Sequence, residues 1–238
     1  MVMWIFGYAS LMWRAGFDYD ERIVGFIRGY RRVFHLACFE HRGTHDLPAR
    51  VATLEPEEDA ICWGAAFCIK DTEAAEKAML YLHERESEYD TVGHVQFYTE
   101  ESYDCPLVPE ALVFMSTTDK QTNRFYLGPA PKDEIAMQIA TATGPNGPNC
   151  DYLFRLVEAL REIGHEDEEI VELARAVRRM LSKCKTRANQ ANLSASPRNL
   201  FASQSLVATQ PHSMLPAAVQ GVPGPLSHSP RLLKSQAR

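Results

Sequence analysis

The order of strand-like and helix-like segments restricts the fold of this chain more than any other feature. Six strand-like runs lie between Met3 and Ser116, and most of the helical pattern follows them. The runs are Met3–Phe6, Ile23–Leu36 with a break near Gly29, Ala49–Glu55, Ile61–Ile69, Val95–Tyr98 and Ala111–Ser116. Because few β–α–β alternations are visible, we expect an α+β fold whose largely antiparallel strands close into a small barrel.

Four segments have the apolar spacing of helices that cover such a sheet. They begin near Asp71, after Pro131, at about Asp151 and at about Glu166, and the last is predicted to end at Leu181. This last segment is acidic in its first turn and basic near its end, a polarity that complements the helix dipole. The helices are therefore expected on the outside and at one end of the barrel.

The C-terminal part of the chain differs in composition from the rest. Residues 187–238 are rich in Ser, Ala, Gln and Pro and contain five basic but no acidic residues. Such a segment buries too little apolar surface to offset the entropy lost on ordering. We predict one domain over residues 1–186 and a disordered tail over 187–238.

Charge and cysteine usage exclude several classes of function. Residues 1–186 carry 20 basic and 31 acidic residues, which disfavours nucleic acid as a partner. No apolar run approaches the 18 residues of a membrane span, and no secretory signal is visible. The six scattered cysteines form no C-x-x-C pair and suggest reduced thiols in the cytoplasm. The oligomeric state is not predicted.

No metal or cofactor site is apparent from the spacing of the residues. The chain has no phosphate loop and no dinucleotide fingerprint. The histidines at positions 35, 41 and 45 lie near Glu40 and Asp46, but their spacing fits no standard metal site. We therefore assign no metal ligands.

The first strand-like run ends at a sharp turn. Trp4-Ile5-Phe6 is followed by Gly7, and Ser10 lies three residues beyond the glycine. A tight turn at this position leaves successive backbone N–H groups without strand partners. Such groups can converge on an anion, so residues 8–11 are a candidate anion-binding loop.

One carboxylate continues the apolar face of a predicted helix. The stripe of residues 75, 78, 79 and 82 extends at i+4 to Glu86. Glu84 and Glu88 each lie two residues away, about 200° round the helix, and are expected to face solvent. Desolvation raises the pKa of an inward-facing carboxyl group, which suits it to accept and donate a proton near neutral pH.

These segments, taken together, resemble the ChaC-type γ-glutamylcyclotransferases over about residues 1–181. The resemblance is closest to plant members. The matching motifs are Phe6-Gly7-Tyr8-Ala9-Ser10-Leu11, Pro48-Ala49-Arg50-Val51-Ala52-Thr53-Leu54, Trp63-Gly64-Ala65-Ala66, Arg85-Glu86, Phe125-Tyr126-Leu127-Gly128-Pro129-Ala130-Pro131 and Thr143-Gly144-Pro145-Asn146-Gly147-Pro148-Asn149.

The resemblance implies a small mixed β-barrel with flanking helices. It also implies a lyase that cleaves the γ-glutamyl bond of glutathione and releases 5-oxoproline and cysteinylglycine. The family's catalytic glutamate falls on Glu86, and its ligand loop falls on residues 8–11. Ala9 replaces the family's usual glycine, which adds a Cβ and would penalise a positive φ.

The resemblance and the turn together give a set of predicted substrate-binding residues. They are Phe6, Gly7, Tyr8, Ala9, Ser10, Leu11, Arg50 and Tyr126. Arg50 is either a partner of a substrate carboxylate or a member of a structural ion pair. Tyr126 either packs or reaches the site. The likeness to plant members is compatible with Mn²⁺ dependence.

The chemistry requires no cofactor, because nucleophile and electrophile belong to one substrate molecule. The α-amine attacks its own γ-carbonyl, closes a lactam and expels the amine of cysteinylglycine. Well-oriented intramolecular reactions reach effective molarities of roughly 10⁵–10⁸ M. The protein must then supply orientation and proton transfer, which one carboxylate can provide in sequence.

Other functions remain open at this point. One is a cyclotransferase that acts on other γ-glutamyl amino acids or on γ-glutamylamines, which product release from γ-glutamylalanine would distinguish. Another is a non-catalytic γ-glutamyl-binding protein that uses its proline-rich tail as a contact segment. The presence of Glu86 argues against the latter. Little supports a structural scaffold.

Overall fold

The computed structural model describes residues 2–194. The last helix continues to Ser194, so the predicted boundary at residue 187 falls inside a helix. The sequence explains the extension, since the first proline after Leu181 is Pro197 and the intervening residues include many good helix formers. The remainder of the predicted tail, residues 195–238, lies outside the described residues.

Five strands form a closed barrel, which confirms the predicted fold class. In sequence order they are β1 (Met3–Gly7), β2 (Glu21–Cys38), β3 (Ala49–Ile69), β4 (Thr91–Tyr98) and β5 (Val108–Met115). The order round the barrel is β1-β3-β2-β4-β5, and a parallel pairing of Ile5 with Leu112 closes it. The other pairings are antiparallel.

Two predicted strand boundaries are wrong because the strands continue through the positions that were predicted to interrupt them. The runs Ala49–Glu55 and Ile61–Ile69 belong to one strand, β3, so that the barrel has five strands rather than six. The predicted break near Gly29 is absent, since β2 continues through it, but the register shifts there: Gly29 alone lies opposite the four β3 residues 57–60. Gly29 has a φ of +78°, which a residue without Cβ adopts at little cost.

The helices cover the barrel much as predicted. They are α1 (Thr72–Arg85), α2 (Lys132–Thr141), α3 (Asn149–Glu162) and α4 (Glu168–Ser194). Asp71 caps α1, since its Oδ2 accepts a 2.8 Å hydrogen bond from the Ala74 N–H. A short hairpin of β6 (Thr143–Gly144) and β7 (Gly147–Pro148) leads into α3. No helix among residues 2–194 is long and apolar enough to cross a membrane.

Side chains replace a missing strand along one edge of β3. Asn149 accepts from the Arg50 N–H at 2.9 Å and donates to the Arg50 carbonyl at 2.9 Å. Two residues further on, Tyr152 accepts from the Ala52 N–H at 3.3 Å, and Tyr89 donates to the Ala52 carbonyl at 2.7 Å. Buried backbone polar groups are costly when unpaired, so these contacts stabilise the edge and fix both phenols beside it.

Replacing Asn149 with alanine tests this edge. Asn149 is fully buried, and Asn149→Ala leaves the N–H and carbonyl of Arg50 without partners. We expect the free energy of unfolding to fall by about 2–4 kcal/mol in chemical denaturation. Asn146 is exposed, so Asn146→Ala serves as a control and should change the free energy of unfolding by less than about 0.5 kcal/mol. Equal effects of the two variants would contradict the interpretation.

Candidate active site

The turn after β1 is a 3-10 helix of Ser10–Met12. Gly7 permits it, because a Cβ at that position would lie only 2.7 Å from the Leu11 Cβ. No backbone N–H group of residues 8–11 donates a hydrogen bond to another group among the described residues. The loop therefore offers the unpartnered donors that the sequence predicts for an anion site.

Ala9 does not adopt a positive φ in this loop. Its φ is −139° and its ψ is −125°. The penalty that the sequence suggests for replacing the family's glycine applies only at positive φ. The side chain is 7% exposed and packs within the core.

A buried arginine holds the start of the loop. The Nε of Arg32 donates to the Tyr8 carbonyl at 2.7 Å, and its Nη1 donates to Asp167 Oδ2 at 2.9 Å. Nη2 donates to the carbonyl of Trp63. Arg32 is only 3% exposed, and each of its three guanidinium nitrogens donates a hydrogen bond. It therefore connects the loop to the segment that precedes α4.

A second arginine holds the other side of the loop. Arg85, the last residue of α1, donates through Nη2 to Ser10 Oγ at 2.8 Å. Its Nη1 donates to the carbonyls of Arg14 and Ala15 at 2.6 and 2.8 Å. Arg85 thus caps the carbonyls of Arg14 and Ala15. It fixes the loop to the end of α1.

Glu86 occupies the C-cap position of α1. Its N–H still donates to the Leu82 carbonyl at 2.8 Å, although its own φ and ψ leave the helix. The side chain is 11% exposed. Arg85 Nε lies 3.1 Å from Glu86 Oε1, but Oε1 has no hydrogen-bond partner among the described residues, so the contact is an ion pair without hydrogen-bond alignment.

Burial dominates the acidity of Glu86. Desolvation raises the pKa of the carboxyl group from 4.5 to about 7. The charge of Arg85 opposes this shift and that of Glu88 adds to it. At neutral pH the group therefore populates both protonation states, which is the property required of a proton carrier.

The prediction that Glu88 faces solvent is wrong, whereas Glu84 is exposed as expected. Glu88 is 6% exposed. The helical projection fails because α1 ends at Arg85, and a turn follows in which the Tyr89 N–H donates to the Glu86 carbonyl at 3.0 Å. The turn directs Glu88 inward, beside Cys38.

Two cavities meet at Glu86. The smaller, of about 20 Å³, lies against residues 8–11 and has room for one small group. The larger, of about 550 Å³, extends past Trp13, Cys38, His41, Arg42 and Glu88. Ser10, Glu86 and Tyr89 line both cavities. A third cavity of about 320 Å³ near the start of α4 does not include Glu86.

Three tyrosines lie around the carboxylate, of which Tyr8 and Tyr152 are buried and Tyr89 is half-buried. Burial raises the pKa of Tyr8, Tyr89 and Tyr152, and the charge of Glu86 adds to each shift. The phenols therefore stay protonated. Tyr8 donates to a backbone carbonyl of β5 at 2.9 Å, and Tyr89 donates to one of β3. They give Glu86 polar but uncharged surroundings.

Two predicted binding residues lie elsewhere. Arg50 is 4% exposed, and its guanidinium donates to Gln138 Oε1 at 2.7 Å and to the carbonyls of Phe34 and Gly128 at 2.9 and 3.1 Å. Tyr126 donates to Glu55 at 2.6 Å. Neither residue lines the cavities at Glu86, and both are engaged in structural contacts. Phe6 and residues 8–11 do line the smaller cavity.

The described residues do not provide a metal site. Among residues 2–194, no group of three or more His, Cys, Asp or Glu side chains is placed to hold a metal ion. His45 stacks on Phe39 instead, with ring centroids 5.0 Å apart. We therefore place no Mn²⁺ ligands and assign no step to a metal.

Sequence reasoning missed Arg32, Glu88 and Tyr89 as parts of this site. Arg32 carried a usable signal, because a charged residue interrupts the apolar run of β2 there. The placement of Glu88 and Tyr89 depends on where α1 ends, and neither a glycine nor a proline marks that end in the sequence.

Comparison with known proteins gives a consistent result. The family model described as ChaC-like protein matches residues 3–180. Gamma-glutamylcyclotransferase 2-1 of Arabidopsis thaliana is 54% identical over 182 residues, which cover 76% of this chain and 84% of the relative. Glutathione-specific gamma-glutamylcyclotransferase 1 of Homo sapiens is 40% identical over 184 residues, with coverages of 75% and 80%.

A solved structure has the same fold. The crystal structure of a gamma-glutamyl cyclotransferase specific to glutathione from yeast superposes with a TM-score of 0.68 at 26% sequence identity. The match covers 76% of this chain and all of that one.

The raised pKa of Glu86 predicts how stability depends on pH. The folded state binds the proton more tightly than the unfolded chain, so stability falls as pH rises from about 4.5 to 7. Glu86→Gln removes this cost and should raise the free energy of unfolding by about 3 kcal/mol at pH 8. The gain should vanish near pH 4, and the exposed Glu84→Gln should show none. Denaturant titrations at both pH values test this; a pH-independent effect of Glu86→Gln would contradict it.

Proposed function

The chain belongs to the ChaC-like protein family, and on that premise we propose that it is a γ-glutamylcyclotransferase that degrades glutathione. The products are 5-oxoproline and cysteinylglycine. The observation that carries this proposal is a buried carboxyl group, Glu86, with a pKa of about 7 at the junction of an anion loop and a tripeptide-sized cavity. The names of the human and yeast relatives support glutathione as the substrate.

The α-carboxylate of the γ-glutamyl group binds at residues 8–11. The smaller cavity admits a single small group, and unpartnered backbone N–H donors line it. The hydroxyl of Ser10 accepts from Arg85, which leaves its hydrogen free to donate to the substrate. Fixing this carboxylate beside Glu86 turns the α-amine toward its own γ-carbonyl.

Glu86 acts first as a base. It takes a proton from the α-ammonium group, and the resulting amine attacks the γ-carbonyl carbon. The lactam bond forms while the bond to the cysteinyl nitrogen breaks, and Glu86 returns the proton to that nitrogen. Glu86 then transfers a second proton from the lactam nitrogen, which keeps one hydrogen, to the leaving nitrogen, which becomes an ammonium group. A pKa of about 7 suits both directions of transfer, and such help contributes about 10²–10⁴-fold to rate.

The surroundings of Glu86 favour this cycle. Arg85 lies close enough to stabilise the ionised state, but its Nη atoms are occupied by the loop and the segment after it. Oε1 of Glu86 has no hydrogen-bond donor among the described residues, so a substrate N–H or ammonium group would complete its coordination.

The size of the larger cavity favours glutathione over smaller γ-glutamyl compounds. Its volume of about 550 Å³ lies within the range of roughly 300–1,000 Å³ that small-molecule sites span. A γ-glutamylamine would leave most of this space unused. The leaving cysteinylglycine therefore lies along Trp13, Cys38 and His41.

Two expectations accompany the proposal and remain predictions. A cytoplasmic location follows from the cysteine usage, and all six cysteines are free thiols in the structure. Mn²⁺ dependence follows from the resemblance to plant members alone. Activity assays with and without a chelator would decide it.

Incubation with glutathione tests the proposed function. We expect the protein to release 5-oxoproline, detected by mass spectrometry, and Glu86→Gln to reduce kcat/KM by at least about 10²-fold because the proton carrier is lost. Glu84→Gln is the matched control, since Glu84 lines the larger cavity but is exposed. It should retain near-normal activity.

Two results would contradict the proposal. Near-normal 5-oxoproline release by Glu86→Gln would exclude Glu86 as the proton carrier. Faster turnover of γ-glutamylalanine than of glutathione would assign the protein to the alternative cyclotransferases of the same fold.

A further inference from the structure

Glu88 is a buried carboxylate without a cationic partner. It is 6% exposed, yet it belongs to none of the ion pairs within the described part of the chain. The other buried acids differ in this respect. Glu55 contacts Arg31 and His35 at 3.2 and 2.6 Å, and Glu86 contacts Arg85 at 3.1 Å.

The thiol beside Glu88 does not neutralise its charge. Glu88 lies beside the thiol of Cys38, whose pKa is raised to about 11, mainly by burial and further by the charge of Glu88. The thiol is thus uncharged at neutral pH and is a weak hydrogen-bond donor. A buried carboxylate is costly unless a cation or several strong donors accompany it, so a cationic ligand would satisfy Glu88.

The position of Glu88 indicates which cation this is. Glu86 lines both cavities, whereas Glu88 lines only the larger one. The larger cavity receives the leaving group in the proposed function, on which the present inference rests. The α-ammonium of the γ-glutamyl group lies at the opposite end, beside the loop.

The hydrogen balance of the reaction requires a cation at this place. The α-ammonium nitrogen carries three hydrogens, and the lactam nitrogen that it becomes carries one. The leaving amide nitrogen starts with one hydrogen and ends with three, as the ammonium group of cysteinylglycine. Two protons therefore pass from one nitrogen to the other, and a positive charge appears on the leaving-group side of Glu86.

We propose that Glu88 binds the nascent ammonium group of cysteinylglycine and so acts as the leaving-group carboxylate of this enzyme. Glu86 carries the protons, and Glu88 stabilises the nitrogen that receives them. The cavity that holds Glu88 also contains Arg14 and Arg42, which form no ion pair with it and stay available to anionic parts of the substrate.

The wild-type protein provides the first test. Cysteinylglycine and N-(3-mercaptopropionyl)glycine, which lacks only the amine, are compared as inhibitors of 5-oxoproline release at pH 7. We expect cysteinylglycine to inhibit at least about tenfold more tightly, since an ion-paired hydrogen bond distinguishes the two. Equal inhibition would overturn the proposal without affecting the proposed function, because the assay itself detects 5-oxoproline.

Substitution of Glu88 provides the second test. Glu88→Gln should abolish the tenfold preference for the amine while leaving inhibition by N-(3-mercaptopropionyl)glycine within about twofold of its wild-type value. Glu84 lines the same cavity, and the Glu84→Gln variant should retain the full preference for the amine. A folded Glu88→Gln protein, as judged by circular dichroism, that keeps the preference would overturn the proposal. If the variant does not fold, the wild-type comparison decides alone.

Discussion

The structure depends on how α1 ends. Arg85 and Glu86 are adjacent in the chain, yet their side chains have different roles. The guanidinium of Arg85 holds the loop after β1 through Ser10 and two backbone carbonyls, whereas the carboxyl group of Glu86 is buried between the loop and the larger cavity. The loop that Arg85 holds in place lies against Glu86. The contacts of Arg85 that position the anion-binding loop therefore also help to bury Glu86, and this burial makes the carboxyl group costly to ionise.

The barrel supplies the surroundings that this carboxyl group requires. One edge of β3 lacks a strand partner, and the side chains of Asn149, Tyr152 and Tyr89 pair with its backbone instead. This pairing of side chains with the β3 backbone brings two phenols next to Glu86 without adding a charge. The same residues thus stabilise the sheet and give the site its uncharged surroundings. Arg32 connects the loop after β1 to the segment before α4, because it donates to the Tyr8 carbonyl and forms an ion pair with Asp167.

Local sequence patterns predicted the elements of this fold well and the inward position of Glu86 correctly. Apolar periodicity located all four helices, and the glycine at the end of β1 located the turn. The patterns failed where long-range contacts decide the outcome. The polar residues after Pro56 did not end β3, because residues 57–60 bulge opposite Gly29 and the pairing with β2 continues on both sides of them. The prediction that Glu88 faces solvent failed because the end of α1 has no local sequence signal. The prediction that Arg50 binds substrate failed because its guanidinium donates to Gln138 and to backbone carbonyls distant in sequence.

The most direct test of this account is the titration of Glu86 itself. The carboxyl carbon of glutamate can be followed by ¹³C NMR from pH 4 to 9, and the Glu86→Gln spectrum assigns the signal. The account predicts a midpoint near pH 7, set by burial and only partly offset by Arg85. A midpoint near the ordinary value of 4.5 would mean that Glu86 is solvated and would contradict its role as the proton carrier.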